Sequence, residues 1–340
     1  MARILFLIRH FDRGGAQRQV IALARFLSQR GETVVVGVFY PGGPLYEEAL
    51  YSEISTVSLE KGSRWHIVGF IRRLMKLIKQ FQPEVVHSYL GTSNILAVLV
   101  KPWFPGLRVI WGVRTSNMDW QRYGILHRLL YWIECKLSRF ADLIIANSHA
   151  GYEYAMKKGF PKEKLAVIPN GIDVKRFCSN PMTGCHFRAD HGIGSDEFLI
   201  GLVGRLDPMK GYENFLRAAC LLEKENKNVR FICIGDGPKC YKAMLQRLVE
   251  NLEIQRRLIW LDHVEPIEHF YNALDVLTSS SIYGEGFPNV IGEAMACEIA
   301  CVATDVGDSK YIVGETGLVV PPNDVQALLT AWRQLIRAAP

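Results

Sequence analysis

Short apolar runs alternate with segments of helical period along the whole chain, and this alternation constrains the fold more than any other feature. In the first half the apolar runs fall at 4–8, 34–39, 85–87, 109–113 and 143–146, and helical periodicity marks 16–29, 67–81 and 126–140. A short apolar run followed by a helix and then another apolar run reads as buried parallel strands joined by helical crossovers. The series then restarts: strands are expected at 198–203, 229–234, 258–261, 276–279 and 300–303, with a helix at 212–225. Both halves open alike, with RILFLIRHFDRGGAQRQVIALARFL in one and FLIGLVGRLDPMKGYENFLRAAC in the other. The likeness is architectural, with little residue identity. The expected fold class is α/β, two Rossmann-like doubly wound domains facing a central cleft, with ligands held beyond the carboxyl ends of the strands.

A chain of 340 residues, 49% of them hydrophobic, can fill two separate cores. The stretch 168–187, IPNGIDVKRFCSNPMTGCHF, is rich in Pro, Gly, Asn and Ser and lacks a period, so it reads as the linker. The expected domains are 1–180 and 181–340. A net charge of +6, spread rather than clustered, fits phosphate-bearing ligands or an anionic membrane surface better than nucleic acid. The eight cysteines include no CxxC and no Cys/His group with zinc spacing, so they read as reduced core cysteines of a cytosolic protein. Arg9 and His10 interrupt the apolar start, and no apolar run approaches the ~20 residues that cross a bilayer. The expected location is the cytoplasm, with peripheral contact at the inner face of the cell membrane.

Three strings at expected strand ends carry candidate chemistry. Gly14-Gly15 precedes a helix, where backbone amides can approach an anion; a plain strand-to-helix turn would look the same, and the pattern is not GxGxxG. GRLDPMKG, 204–211, puts Arg205 and Lys210 just after a buried strand, as a planar fork and a point charge for phosphate oxygens, or as two solvated cations. EGFPNVIGE, 285–293, sets Pro288 at the start of a helix at 289–296. Amides of Phe287 and Asn289 can meet an anion there, and Glu293, one turn deeper, can accept from ribose hydroxyls. Either Glu alone could equally be helix-dipole decoration.

Glu285 and Glu293, with seven residues between them, resemble the E-x7-E signature of retaining glycosyltransferase family 4, of GT-B architecture. RGGAQR, ANSHAG, VIPNGID, VGRLDPMKG, IGDGP, EGFPNVIGEAMAC and VATDVGDSKYIVGETGLVVPP follow in the family's order along nearly the whole chain. The resemblance implies that Gly14 and Gly15 approach the donor diphosphate, that Arg205 and Lys210 neutralise it, and that amides of Phe287, Asn289 and Val290 hold phosphate and sugar hydroxyls. It places Glu285 near the transferred sugar, Glu293 on the ribose, and backbone around Gly235 and Val264 on the base. The implied co-substrate is a nucleotide-diphosphate sugar, UDP-linked ahead of GDP-linked, with no further cofactor. The implied acceptor is a glycan or lipid-linked precursor.

Three features depart from the family. VRTSN puts Arg114 where many relatives carry a His, and Glu298 stands where relatives usually have a Gly. A non-Gly residue in a left-handed helix cap costs ~1 kcal/mol. Relatives also continue with more helix beyond the position of Pro340, so the sequence reads as C-terminally incomplete. No DxD follows an expected strand end, so no metal site is expected, and cations with helix dipoles are left to stabilise the leaving diphosphate. A non-catalytic nucleotide-sugar-binding protein, a nucleotide-sugar epimerase and a phosphorylase stay open as alternatives. On the acceptor side, His10, His87 and Arg114 end or follow strands. The segment 67–81, with Arg72, Arg73, Lys76 and Lys79, reads as a basic amphipathic helix that lies on anionic lipid or simply covers the sheet. Trp103-Phe104 and 126–132 add aromatics expected at the surface.

Overall fold

The computed structural model describes residues 1–12, 14–51, 54–61, 67–120 and 123–338. Arg13 of the RGGAQR string and His66, next to the basic helix, lie outside them. The chain divides into two compact units, Met1–Asn170 and Gly171–Pro340.

The first unit is built on seven parallel strands: β1 (Arg3–Ile8), β2 (Thr33–Val38), β3 (Ser55–Ser58), β4 (Val85–Tyr89), β5 (Arg108–Val113), β6 (Leu143–Ala146) and β7 (Leu165–Val167). They lie in the order β3-β2-β1-β4-β5-β6-β7. The order reverses between β1 and β4, and such a switch point opens a crevice at the strands' carboxyl ends. Central strands bury nearly every residue, as sheets covered on both faces require. The edge strands β3 and β7 carry the shorter strings STVS, which is polar, and LAV, which is apolar but only three residues long.

The second unit has six parallel strands: β8 (Phe198–Val203), β9 (Val229–Ile234), β10 (Leu258–Leu261), β11 (Val276–Ser279), β12 (Ala300–Thr304) and β13 (Leu318–Val320). Their order is β10-β9-β8-β11-β12-β13, with the switch point between β8 and β11. The helix Tyr212–Glu225 buries Phe215, Leu216 and Leu222 against the sheet. Trp332, on the helix Val325–Ala338, is fully buried 5.2 Å from the Phe215 ring, and its indole donates to Thr278 Oγ1 at 2.9 Å.

Four expectations change. All but the first three residues of the stretch read as linker belong to the second unit, which begins at Gly171 rather than near residue 181. Phe177 is buried in that unit's core, and Pro181–Asp190 is a helix. Its start was legible: Asn180 caps it by accepting from the Thr183 amide at 3.3 Å, with Pro181 at the first helical position. Second, of the two readings left open for the helix Ile67–Phe81 only the sheet cover remains, because Phe70, Leu74 and Ile78 are buried in the first core and its apolar face is not offered to lipid. Third, Cys178, Cys185 and Cys240 are exposed, and only Cys220, Cys233, Cys297 and Cys301 are buried core cysteines. Fourth, Phe104 is partly buried against the first core, whereas Trp103 is exposed as expected.

Candidate active site

The loop Gly204–Gly211 crosses the switch point of the second sheet and is fixed by its own residues. Asp207 accepts from the Met209 amide at 3.0 Å, closing one short turn over Pro208–Lys210. Gly211 then takes a left-handed conformation with φ of 65°, and a Cβ there would lie 2.1 Å from the Ser280 carbonyl oxygen. Only glycine lets the loop come this close to the end of β11. Ser280 Oγ donates to the Lys210 carbonyl at 2.9 Å, and the Ile282 amide to Met209 at 2.7 Å, which ties the loop down.

This packing brings Lys210 Nζ onto Glu285 Oε1, and the Ser281 hydroxyl donates to the same oxygen at 2.7 Å. Two residues 75 positions apart meet because β8 and β11 are neighbours in the sheet. Burial pushes the Glu285 carboxyl up, but the Lys210 charge and the bonds from Lys210 and Ser281 outweigh it and hold the group below its ordinary value. Glu285 is therefore an ionised, buried carboxylate, and Lys210 is a paired cation. Arg205 is more exposed and pairs with Asp207 at 2.9 Å.

Glu285 and Gly286 are clamped from the other side. A Cβ on Gly307, whose φ is 63°, would lie 2.5 Å from the Glu285 carbonyl oxygen, and the Asp308 amide donates to Gly286 at 2.9 Å. The helix Asn289–Ala296 follows, with Pro288 as its cap residue and Phe287 and Val290 partly exposed beside it. The first amides of a helix have no acceptor within it and carry its positive dipole end. Glu293, in the second turn, is buried and accepts from the Tyr271 hydroxyl at 2.5 Å; among the described residues its other oxygen has no hydrogen bond. Gly235 follows β9 in contact with the same loop, since a Cβ there would meet the Gly204 oxygen at 2.0 Å. Val264 packs partly buried against the same core as Val290. The second unit thus gathers Lys210, Arg205 and Glu285 at one switch point. Glu293, Gly235 and Val264 stand on the elements around it.

In the first unit Gly14 is the extended cap of the helix Gly15–Gln29, and Gly15 is its exposed first residue. His10 follows β1, with Nδ1 at 3.0 Å from Asp12 Oδ2 but not aligned as a hydrogen bond. Burial lowers its ring below the usual value, and Asp12 partly restores it. His87 lies inside β4 between the rings of Phe6 and Tyr89, with Nε2 buried and unbonded. Burial first and Arg114 second press its pKa down to about 3, so the ring is neutral. Arg114, at the end of β5, lies over the Tyr89 ring at 4.4 Å and donates to Asn170 Oδ1 at 2.8 Å.

Sequence reasoning missed Glu134. It is buried, accepts from Asn94 Nδ2 at 2.8 Å, and Asn94 Oδ1 accepts from Ser88 at the same distance. Burial raises its carboxyl to about 7 despite the Asn94 bond. A Cβ on Gly91 would lie 2.7 Å from Glu134 Oε2, so glycine at the start of the helix Gly91–Val100 makes room for it. A Glu in an apolar helical string flanked by Ile and Cys was the available signal.

Residues 13–176 match the family described as Glycosyltransferase Family 4, and residues 197–338 match Glycosyl transferases group 1. The GDP-mannose-dependent alpha-(1-6)-phosphatidylinositol monomannoside mannosyltransferase of Mycolicibacterium smegmatis is 28% identical, over 95% of this chain and 86% of its own length. The GalNAc-alpha-(1->4)-GalNAc-alpha-(1->3)-diNAcBac-PP-undecaprenol alpha-1,4-N-acetyl-D-galactosaminyltransferase of Campylobacter jejuni is 25% identical, over 95% of this chain and 84% of its own. Anabaena HepE, crystallised with UDP-glucose, superposes with a TM-score of 0.89 at 22% identity, covering 99% of this chain and 90% of that one. The fold is GT-B, and with family matches spanning both sheets the chain belongs to glycosyltransferase family 4.

Proposed function

We propose that the chain moves a sugar from a nucleotide-diphosphate donor to a lipid-linked or cell-surface glycan precursor, with retention at the anomeric carbon and without a divalent metal. The observation that carries this reading is the buried Lys210–Glu285–Ser281 group at the switch point of the second sheet. Lys210 and Arg205 supply positive charge where a diphosphate leaves, and the helix start at Asn289 adds its dipole. The acceptor hydroxyl oxygen bonds to the anomeric carbon on the face that the diphosphate vacates. The carbon–oxygen bond to phosphate breaks, its electron pair stays on the phosphate oxygen, and that oxygen takes the hydroxyl proton. No protein nucleophile enters. Glu285, held ionised, orients Lys210 and supports the positive charge that builds on the sugar ring. Glu293, with one oxygen bonded by Tyr271 and the other unbonded among the described residues, is suited to a ribose hydroxyl.

The lipid side of the reading has its own support. The helix Ile125–Leu137 leaves Ile125, Leu126, Leu129 and Trp132 exposed, with exposures from 49% to 85%, and Arg128, Lys136 and Arg139 stand beside them. A cleft of about 580 Å³ next to it is lined by Trp120, Tyr131 and Lys158 among others. An apolar stripe with neighbouring cations suits the boundary of an anionic bilayer. Among the described residues no helix is long and apolar enough to cross a membrane, so contact would be peripheral. The relatives named above act on a phosphatidylinositol mannoside and an undecaprenol diphosphate glycan, and HepE binds UDP-glucose. The two relatives favour a membrane-held acceptor; on the donor they and HepE divide, since the Mycolicibacterium enzyme is GDP-mannose-dependent and HepE binds UDP-glucose, and a UDP-sugar is taken ahead of a GDP-sugar on the family resemblance alone.

The test is turnover in EDTA with UDP-, GDP- and ADP-sugars on anionic vesicles carrying polyprenyl-diphosphate glycans or phosphatidylinositol. Transfer that keeps the donor's anomeric configuration supports the reading. Inversion, or transfer only after manganese or magnesium is added, overturns it. Flotation of the protein with the vesicles should weaken in Trp132→Ala, and unchanged flotation would remove the membrane contact.

A further inference from the structure

In the second unit three part-buried arginines are matched by carboxylates, Arg188 by Asp275 at 2.6 Å, Arg176 by Glu268 at 3.0 Å and Arg257 by Glu197 at 3.2 Å, and in the first unit Arg73 donates to the Leu59 and Glu60 carbonyls at 2.7 Å. Arg114 has no such carboxylate among the described residues. It leaves β5 next to β4, one strand from the switch point of the first sheet. Gly112 is the register partner of Tyr89, and a Cβ there would stand 3.3 Å from Arg114 Nε, so the arginine lies back across the glycine onto the Tyr89 ring. One terminal nitrogen donates to Asn170 Oδ1 at 2.8 Å, Nε has no acceptor, and among the described residues no carboxylate lies within 4.0 Å. The groups facing it are Tyr89, by its ring and its hydroxyl oxygen, and His87, and neither the phenol nor the neutral imidazole is a counter-ion. Leu90, directly after Tyr89, holds φ of 72° and ψ of 151°, a strained conformation for a residue with a side chain. Such strain persists where the surroundings demand one fixed geometry.

We propose that Arg114 is an oxyanion subsite: the sugar ligand of the first unit carries a carboxylate or phosphate group that Arg114 binds through its unmatched donors. A guanidinium presents a planar fork that two oxygens of a carboxylate or phosphate fit, and a largely buried cation without a counter-ion is stabilised by receiving one. The proposal rests on the glycosyltransferase reading only in taking the ligand to be a sugar.

Calorimetric titration of the full chain with glucuronate, glucose 6-phosphate and glucose tests it, with UDP as the control for the second unit. At least one charged sugar should bind about tenfold tighter than glucose or better, as charge-assisted hydrogen bonds give. Arg114→Gln should abolish that preference while UDP binds as in the wild type. The charged sugar that is held distinguishes a hexuronate from a phosphorylated ligand. Asn170→Ala, which removes a protein acceptor and keeps the cation, should retain the preference, and if Arg114→Gln does not fold, loss of the preference in Asn170→Ala overturns the subsite. Equal binding of glucose and both charged sugars, or a preference that survives Arg114→Gln, overturns the subsite and makes Arg114 a brace for Asn170 and Tyr89. Failure of UDP to bind the wild type would instead count against the glycosyltransferase reading, whatever Arg114 does.

Discussion

Replacing Lys210 by alanine should damage folding and catalysis for separable reasons. The Lys210 and Glu285 side chains are only 22% and 10% exposed, so removing the ammonium leaves a carboxylate in a poorly solvated place. Breaking one side of a buried pair costs ~3–5 kcal/mol. Ser281 still donates to the carboxylate at 2.7 Å, so a loss nearer 2–3 kcal/mol is expected, in roughly the range of one unsatisfied buried polar group. Adding Glu285→Gln removes the stranded charge and should restore most of that stability. Catalysis should not follow. If Lys210 stabilises the departing diphosphate, its loss costs ~3 kcal/mol in the transition state, about two orders of magnitude in kcat, and the second substitution does not return it. Urea melts and initial rates on the single and double variants make the comparison. A double variant no more stable than Lys210→Ala would refute the stranded-charge argument, and one with wild-type kcat would refute the role of Lys210. The pH dependence gives a sign check. Glu285 is held below its ordinary value, so the wild-type pair contributes stability that is complete above the usual carboxylate pKa and is lost as pH falls through the lowered native one. In Lys210→Ala burial is left to dominate, so the variant should gain on the wild type as the pH falls.

Three further outcomes are expected. Glu293→Ala should raise the donor KM roughly 10-fold or more with kcat little changed, because ribose binding is the same in ground and transition states; an unchanged KM would reassign Glu293. Glu134 has its carboxyl raised to about 7, so it binds protons in the folded state that the unfolded state has released, and wild-type stability should fall by ~3 kcal/mol as pH rises from about 4.5 to 7. Glu134→Gln should flatten that slope in melts run across the interval, and an unaltered slope would contradict it. Glu298 holds φ of 64° just past the helix Asn289–Ala296, with its amide and that of Ile299 each donating at 3.0 Å back into the last turn. Glu298→Gly should therefore stabilise by ~1 kcal/mol, read as a rise in Tm of ~2–4 °C.

The sheet strands that lie between neighbours were legible because each is an apolar run bounded by polar loops. Edge strands such as Leu165–Val167 were not, since three residues with one neighbour need no sustained pattern. The helix Gly91–Val100 is apolar on most sides, and periodicity cannot separate such a segment from a strand. At the site, the residue types of Lys210, Glu285 and Glu293 were readable from their strings. The pairing of Lys210 with Glu285 was not, because it depends on β8 and β11 lying side by side. The basic segment Ile67–Phe81 stayed ambiguous for a related reason. Its sequence is amphipathic whichever surface takes the apolar face, and only packing shows that Phe70, Leu74 and Ile78 are spent on the core. The helix Ile125–Leu137, by contrast, leaves Ile125, Leu126, Leu129 and Trp132 outside.

Calorimetric titration of UDP-glucose, GDP-mannose and ADP-glucose into the full chain in EDTA tests the central claim most directly. Saturable binding of at least one of them is expected, within the ~1 μM–1 mM range usual for substrates. It should weaken in Glu293→Ala and should not require metal. No saturable binding by any of the three, or binding that begins only when manganese is added, would contradict a metal-free nucleotide-sugar site built on the second sheet.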